Sequence, residues 1–327
     1  MSGRYEKDME FENKTKNRLK NEPEILTEYY YSLIGAGKSY TTTYNYICYI
    51  INFLKFTFGE EYKYEKHFYL TVKPVHINKY ISSLRTVNKN GEMKNASDSI
   101  RTVQWSALNS FFQFMVPEYM DTNPVANTQR PKMKDKPNVT YLTNKEIKKL
   151  LNYVEKNANE KFKNRDLCLL KLGFTTGLRV SAIVQIDIED IDFQNNQIKV
   201  TEKGDRDEYV MFGEQFKQQL MLWLADREKY FKDSKTNALF VSSNKLTRLS
   251  TDMVGKMITK YTKNVTDKHV TPHVMRHSCA TNLYEKTGDI YLCASQLHHR
   301  NVSTTQRYAE ISKSRKAEAT NILDSLI

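Results

Sequence analysis

Apolar residues return at three- and four-residue intervals through most of the chain, the spacing that lines one face of an α-helix. Pro23 opens such a run at Glu24–Ile34, which Gly35 and Gly37 end. Ser39 is placed to cap a second helix striped by Tyr44, Ile47, Ile51 and Leu54. Pro74 starts a third with Val75, Ile77, Ile81 and Leu84, and a fourth runs from about Ser97 to Val116. The last carries Ile100, Val103, Trp105, Leu108, Phe111, Phe112 and Met115. Together they predict a helical bundle over 22–127, preceded at 1–21 by a flexible charged arm or a short surface helix. Gly37-Lys38-Ser39 mimics the end of a phosphate-binding loop. Ser32 stands where that loop needs its first glycine, so a helix junction is the better account.

The polar, basic, proline-bearing stretch 128–141 reads as a linker into a second domain at 142–327. Thr143-Asn144-Lys145-Glu146 is a capping box opening a helix with Ile147, Leu150, Leu151 and Val154 inward. A strongly apolar helix follows from about Lys163 to Thr175, broken and restarted by Gly177-Leu178-Arg179-Val180-Ser181. Alternation in Gln197–Thr201 and Glu208–Phe212 predicts a β-hairpin with Lys203 near its tip. Helices resume at about Glu214–Tyr230 and Thr251–Thr262, with Leu239–Val241 extended between them. Thr271-Pro272 opens another, capped by the threonine hydroxyl. After Tyr308, Ile311, Ala319, Ile322, Leu323 and Leu326 share one helical face, suited to docking in its own domain or on a neighbour. The expected fold is mainly α with a small β-hairpin or sheet (α+β).

Composition adds a partner to this picture. The net charge is +12, which favours a polyanion, against the plainer reading of a basic surface kept for solubility. The cysteines Cys48, Cys168, Cys279 and Cys293 form no C-x-x-C pair and read as buried free thiols in a reducing cytosol. No signal peptide or membrane-length apolar run appears, so a cytoplasmic, nucleoid-associated location is expected.

Candidate chemistry gathers near the C-terminus. His273 and Arg276, three apart, share a helix face, where the guanidinium fork matches phosphate and the imidazole lies beside it. His299 and, nine residues on, Tyr308 extend the set. Breaking a phosphodiester without a metal requires positive charge on the non-bridging oxygens, a base for the nucleophile and an acid for the leaving group. Arg179 and Arg276 supply the charge, His273 the base, His299 a donor to phosphate, Lys203 the acid and Tyr308 the nucleophile. One arginine aimed at transition-state charge is worth about 10³–10⁵ in rate in other phosphoryl transfers. Taken singly, Arg179, Lys203 and Tyr308 are ordinary residues; the ordered set carries the reading. His273 and His277 also have zinc-site spacing, but Val274 stands where the metalloprotease pattern needs glutamate, and neither a metal nor a cofactor is expected.

Thr176–Ser181, Lys203-Gly204, His273–Thr281 and Leu297-His298-His299 through Ser303–Tyr308 resemble the tyrosine recombinase (phage integrase) family, in the family's order. The resemblance implies an N-terminal core-binding domain and a C-terminal catalytic domain, closing as a clamp around duplex DNA. It assigns Arg179 and Arg276 to the phosphate, Lys203 to the leaving 5′ oxygen, His273 and His299 to the histidine positions and Tyr308 to the nucleophile. It implies a site-specific DNA recombinase or integrase working through a 3′-phosphotyrosine, as a homo-tetramer on two sites passing through a Holliday junction. Its C-terminal helix would be passed to a neighbour, and accessory DNA-bending or directionality proteins would assist. Two positions depart: His298 replaces a customary glycine, and Ala182 an acidic residue three places after the first arginine. With too few residues ahead of the first helix for an arm-binding domain, the chain resembles Xer-like or transposon-borne recombinases. The alternatives are a relaxing enzyme like type IB topoisomerases and a catalytically silent DNA-binding protein of this fold.

Overall fold

The computed structural model describes residues 3–87, 91–132, 140–202, 206–242 and 246–297. It divides into two compact units, Met1–Lys136 and Pro137–Ile327. In the first, α1 (Gly3–Leu19), α2 (Glu24–Gly35), α3 (Tyr40–Phe58), α4 (Pro74–Ser83) and α5 (Asp98–Phe114) build a bundle. Its core interleaves Leu26, Tyr29 and Leu33 of α2 with Ile47, Phe53 and Leu54 of α3 and Leu108, Phe111 and Phe112 of α5. Ser39 caps α3 by accepting from the Thr42 N–H, and Gly37 turns the chain there with a φ of +72°, a conformation that costs glycine nothing.

Three features of this unit differ from expectation. Of the two readings of 1–21, arm or short surface helix, the helix is found from Gly3 onward, and it is docked rather than superficial because α1 lies along α3. The Phe11 ring meets Tyr44 edge-on at 5.6 Å, Thr15 is buried with its hydroxyl donating to the Phe11 carbonyl, and Leu19 enters the core. Ile100 and Val103 of α5 are exposed, so the buried stripe begins at Thr102 and Gln104. A short antiparallel ribbon, β1 (Arg85–Val87) with β2 (Met93–Asn95), joins α4 to α5. Its three-residue strands carry too little alternation to announce themselves.

Both ends of the stretch 128–141 are anchored more firmly than a linker. The Trp105 indole donates to the Thr128 hydroxyl at 2.8 Å, and the Thr102 hydroxyl, bonded to the Asp98 carbonyl at 2.7 Å, lies 3.2 Å from the Pro131 carbonyl. Beyond it, the Leu142 N–H donates to the Ser278 hydroxyl, and the Asn282 amide donates to the Leu142 carbonyl, each at 2.8 Å. Residues 133–139 lie outside the described residues.

The second unit is organised around α7 (Glu160–Thr176), in which Leu167, Leu169, Leu170 and Leu172 are all buried. It is preceded by α6 (Asn144–Asn157) and followed by α8 (Val180–Gln185). A helix apolar on every side must be covered on every side. The Thr143–Glu146 capping box opens α6. Strands β3 (Ile191–Asp192), β4 (Gln197–Glu202) and β5 (Arg206–Met211) form an antiparallel sheet in that order, with Ile198 opposite Val210. The hairpin tip with Lys203 lies outside the described residues. Then come α9 (Glu214–Phe231), α10 (Thr251–Thr262), α11 (Pro272–Thr287) and the short α12 (Ile290–Gln296), which the sequence did not announce. Leu239–Val241, expected as extended, is flanked by two isolated bridges, Asp187 with Ala238 and Val241 with Arg248.

Candidate active site

Pro272 starts α11 with its φ already helical and no N–H to leave unpaired. The expected threonine cap is absent: Thr271 is extended and its side chain makes no cap bond, so the start rests on the proline and on the Thr271 carbonyl, which accepts from Val274. Val274, Met275, Ser278 and Cys279 turn α11 toward the core, and Arg276 goes with them, only 5% exposed. A buried guanidinium must find acceptors. Arg276 finds two in the main chain: Nη1 donates to the Gly177 carbonyl at 2.7 Å and Nη2 to the Leu297 carbonyl at 2.6 Å.

Those acceptors belong to the other two motifs. Gly177 ends α7 with a φ of +67°, its N–H returning to the Gly173 carbonyl, so the chain leaves at an angle only glycine takes easily. Space enforces the same choice, since a Cβ at 177 would lie 2.5 Å from Leu297 Cδ2 and 3.2 Å from Cys279 Sγ. Two residues on, Arg179 is half-buried at the N-cap of α8. Gln296 adds a bond from its amide to the Thr175 carbonyl at 3.3 Å. Thus the segments 175–179, 276–279 and 296–297, far apart in sequence, meet around one guanidinium.

Burial pushes the Cys279 thiol up to about 12, with the Arg276 charge pulling weakly the other way, and pushes Cys293 up to about 11. Neither is poised as a thiolate nucleophile. Ala182, at the position expected to lack an acidic brace, is buried in α8. The far end of that helix is held by Arg248, which donates to the Val184 carbonyl at 3.0 Å and pairs with Asp187 at 2.5 Å.

Of the six residues singled out from sequence, Arg179 and Arg276 are brought to one junction. His273 stands exposed on the first turn of α11, outside the buried cluster. Lys203, His299 and Tyr308 lie outside the described residues. Sequence reasoning missed the buttressing role of Gly177, whose signal was a helix-ending glycine directly before a candidate arginine. Beside the start of α11, Lys256, Lys260, Lys263, Asn264, Thr271 and Pro272 line an open groove of about 880 Å³ along α10.

Comparison with known proteins places the chain among the tyrosine recombinases, enzymes that cut and rejoin DNA at specific sites. The chain belongs to the phage integrase family, whose model matches residues 140–315. It is 33% identical over 213 residues to the tyrosine recombinase XerD of Staphylococcus epidermidis, covering 64% of this chain and 70% of that one. It is 32% identical over 218 residues to XerC of Proteus mirabilis, covering 64% and 67%. These relatives favour a site-specific recombinase over a relaxing enzyme. The fold matches XerH recombinase bound to a palindromic difH substrate after cleavage, with a TM-score of 0.67 at 22% identity over 87% of this chain and 80% of that one. It also matches a lambda integrase tetramer on a Holliday junction, with a TM-score of 0.65 at 16% identity over 87% and 76%. Among the described residues, no helix is long and apolar enough to cross a membrane.

Proposed function

We propose that the protein exchanges strands of duplex DNA through a covalent 3′-phosphotyrosine at Tyr308. The Tyr308 oxygen attacks the scissile phosphorus and gives its proton to His273. The bond to the 5′ oxygen breaks, and Lys203 protonates the departing 5′-hydroxyl. Arg179 and Arg276, with a bond from His299, hold the charge that builds on the non-bridging oxygens. The phosphotyrosine keeps the bond energy, so attack by a 5′-hydroxyl from the partner strand rejoins the backbone without ATP.

The observation that carries this reading is the bonding of Arg276 to both the Gly177 and the Leu297 carbonyls. It fixes a planar cation at the junction of the motif that presents Arg179 and the segment that leads to His299 and Tyr308. The lysine-lined groove along α10 is the candidate track for a DNA strand, and α10 is the candidate recognition helix of this unit. Four copies would assemble on two sites, each lending its C-terminal helix to a neighbour, in the cytosol and with accessory DNA-bending proteins. The lambda integrase tetramer on a Holliday junction supports that assembly by likeness of fold. The test is a nicked duplex whose cleaved fragment diffuses away. Wild type is expected to accumulate a protein–DNA adduct that survives denaturation, and Tyr308→Phe to form none.

A further inference from the structure

Arg179 stands at the N-cap of α8, a helix of only six residues. So short a helix holds its own shape poorly, because starting a helix costs more than its first internal bonds return. Arg179 is therefore placed by whatever grips α8 from outside. At the near end the grip is Arg276, which donates to the Gly177 carbonyl, two residues before Arg179.

At the far end the grip is Arg248. Its Nη1 donates to the Val184 carbonyl at 3.0 Å and to the Ile186 carbonyl at 3.3 Å, and its Nη2 donates to Asp187 at 2.5 Å. The last carbonyls of a helix lack partners within it and carry the negative end of its dipole, so a cation suits them. One planar fork reaches two carbonyls and a carboxylate at once, which an ammonium does not. Arg248 is itself held. Its backbone bridges to Val241, and the Leu249 N–H donates to the Phe240 carbonyl at 2.9 Å. The Leu239 N–H donates to the Ile186 carbonyl at 2.9 Å, and Arg227 of α9 donates to the Ala238 carbonyl at 3.0 Å. A brace thus runs from α9 through 238–241 to the end of α8. The Arg248 side chain is 19% exposed, and both terminal nitrogens are committed inside the chain, so it is poorly placed to bind DNA itself.

We infer that Arg248 is a positioning residue for strand cleavage: by fixing the C-terminal end of α8 it sets where Arg179, at the other end, meets the scissile phosphate. The inference rests on the recombinase reading for the role of Arg179. A six-residue helix is about 9 Å long, so a tilt of roughly 6° moves its N-cap by about 1 Å. A displacement of that size can cost about 10²-fold in rate.

Single-turnover cleavage of a nicked duplex, with affinity read separately by equilibrium binding, tests the assignment. Arg248→Ala should cleave about 10²-fold more slowly at saturating duplex while its affinity stays within about twofold of wild type. Arg248→Lys should recover part of the rate, because an ammonium still reaches one carbonyl. A residue that acts through Arg179 has nothing to act on once that side chain is removed. The double variant R179A/R248A should therefore cleave within about twofold of R179A, whereas a residue that only stabilises the unit would multiply the two losses. Should R248A fold poorly, R248K and R179A/R248K carry the same comparison. A wild-type rate in R248A, or a double variant slower than R179A by the full R248A factor, would overturn the inference. So would a loss confined to affinity, which would make Arg248 a DNA contact. A wild type that traps DNA covalently while R248A traps it as fast keeps the cleavage proposal and loses this one. A wild type that traps none loses both.

Discussion

Gly177 and Arg276 need each other. The glycine's left-handed turn aims its carbonyl at the guanidinium, and its missing side chain leaves room for Leu297, whose carbonyl is the second acceptor. Gly177→Ala places a Cβ at a φ of +67° and 2.5 Å from Leu297 Cδ2. The backbone strain of roughly 1–2 kcal/mol and overpacking of roughly 1–3 kcal/mol should together cost about 2–5 kcal/mol, read as a shift in denaturant unfolding. Arg276→Lys tests the fork itself, because one ammonium cannot reach two carbonyls and a phosphate. Cleavage should fall by about 10³ or more while duplex affinity stays near wild type, compared by single-turnover cleavage and equilibrium binding. Equal losses in both would assign the residue to DNA binding alone. The arginine was legible as a candidate from its i, i+3 pairing with His273. Its anchoring was not, because its acceptors are carbonyls 99 and 21 residues away, and a carbonyl leaves no mark in a sequence.

At the scale of elements, caps and stripes set what could be read. Ser39, Ser97, Thr143 and Ser250 all cap the helices they precede, since a side-chain oxygen there satisfies an N–H that the helix leaves open. The docking of α1 was hidden because Phe11, Thr15 and Leu19, at i, i+4 and i+8, are its few inward anchors among many charges. Thr15 is buried only because its hydroxyl is satisfied within the helix. The start of α6 also carries a pH dependence. Burial raises the Glu146 carboxyl, but the Lys268 ammonium at 2.8 Å, with the Thr143 N–H and hydroxyl, outweighs it and holds the group below its ordinary value. A carboxyl depressed on folding stabilises above its unfolded value, about 4.3, and that contribution is lost as pH falls through the folded one. Wild type should therefore lose stability more steeply than Glu146→Gln below about pH 4.5, measured as denaturant midpoints across the acid range. Parallel curves would mean that the pair contributes nothing.

For the whole molecule, charge and order of motifs were informative where geometry was not. A net charge of +12 pointed to a polyanion, and the family match over 140–315 gives that charge its partner class. The division into two units follows from two separate cores, one built on α3 and α5 and one on α7, each closed by its own apolar residues. What no composition could supply is the meeting of three distant segments at one buried cation. That meeting gives the proposed chemistry its place, and the chemistry turns on a single oxygen. The most direct measurement is to let the protein react with a nicked duplex, digest protein and DNA, and identify by mass spectrometry the peptide that carries the nucleotide. The account predicts one modified peptide, with the phosphate on Tyr308. A nucleotide on any other residue, or no modified peptide from active protein, would contradict it.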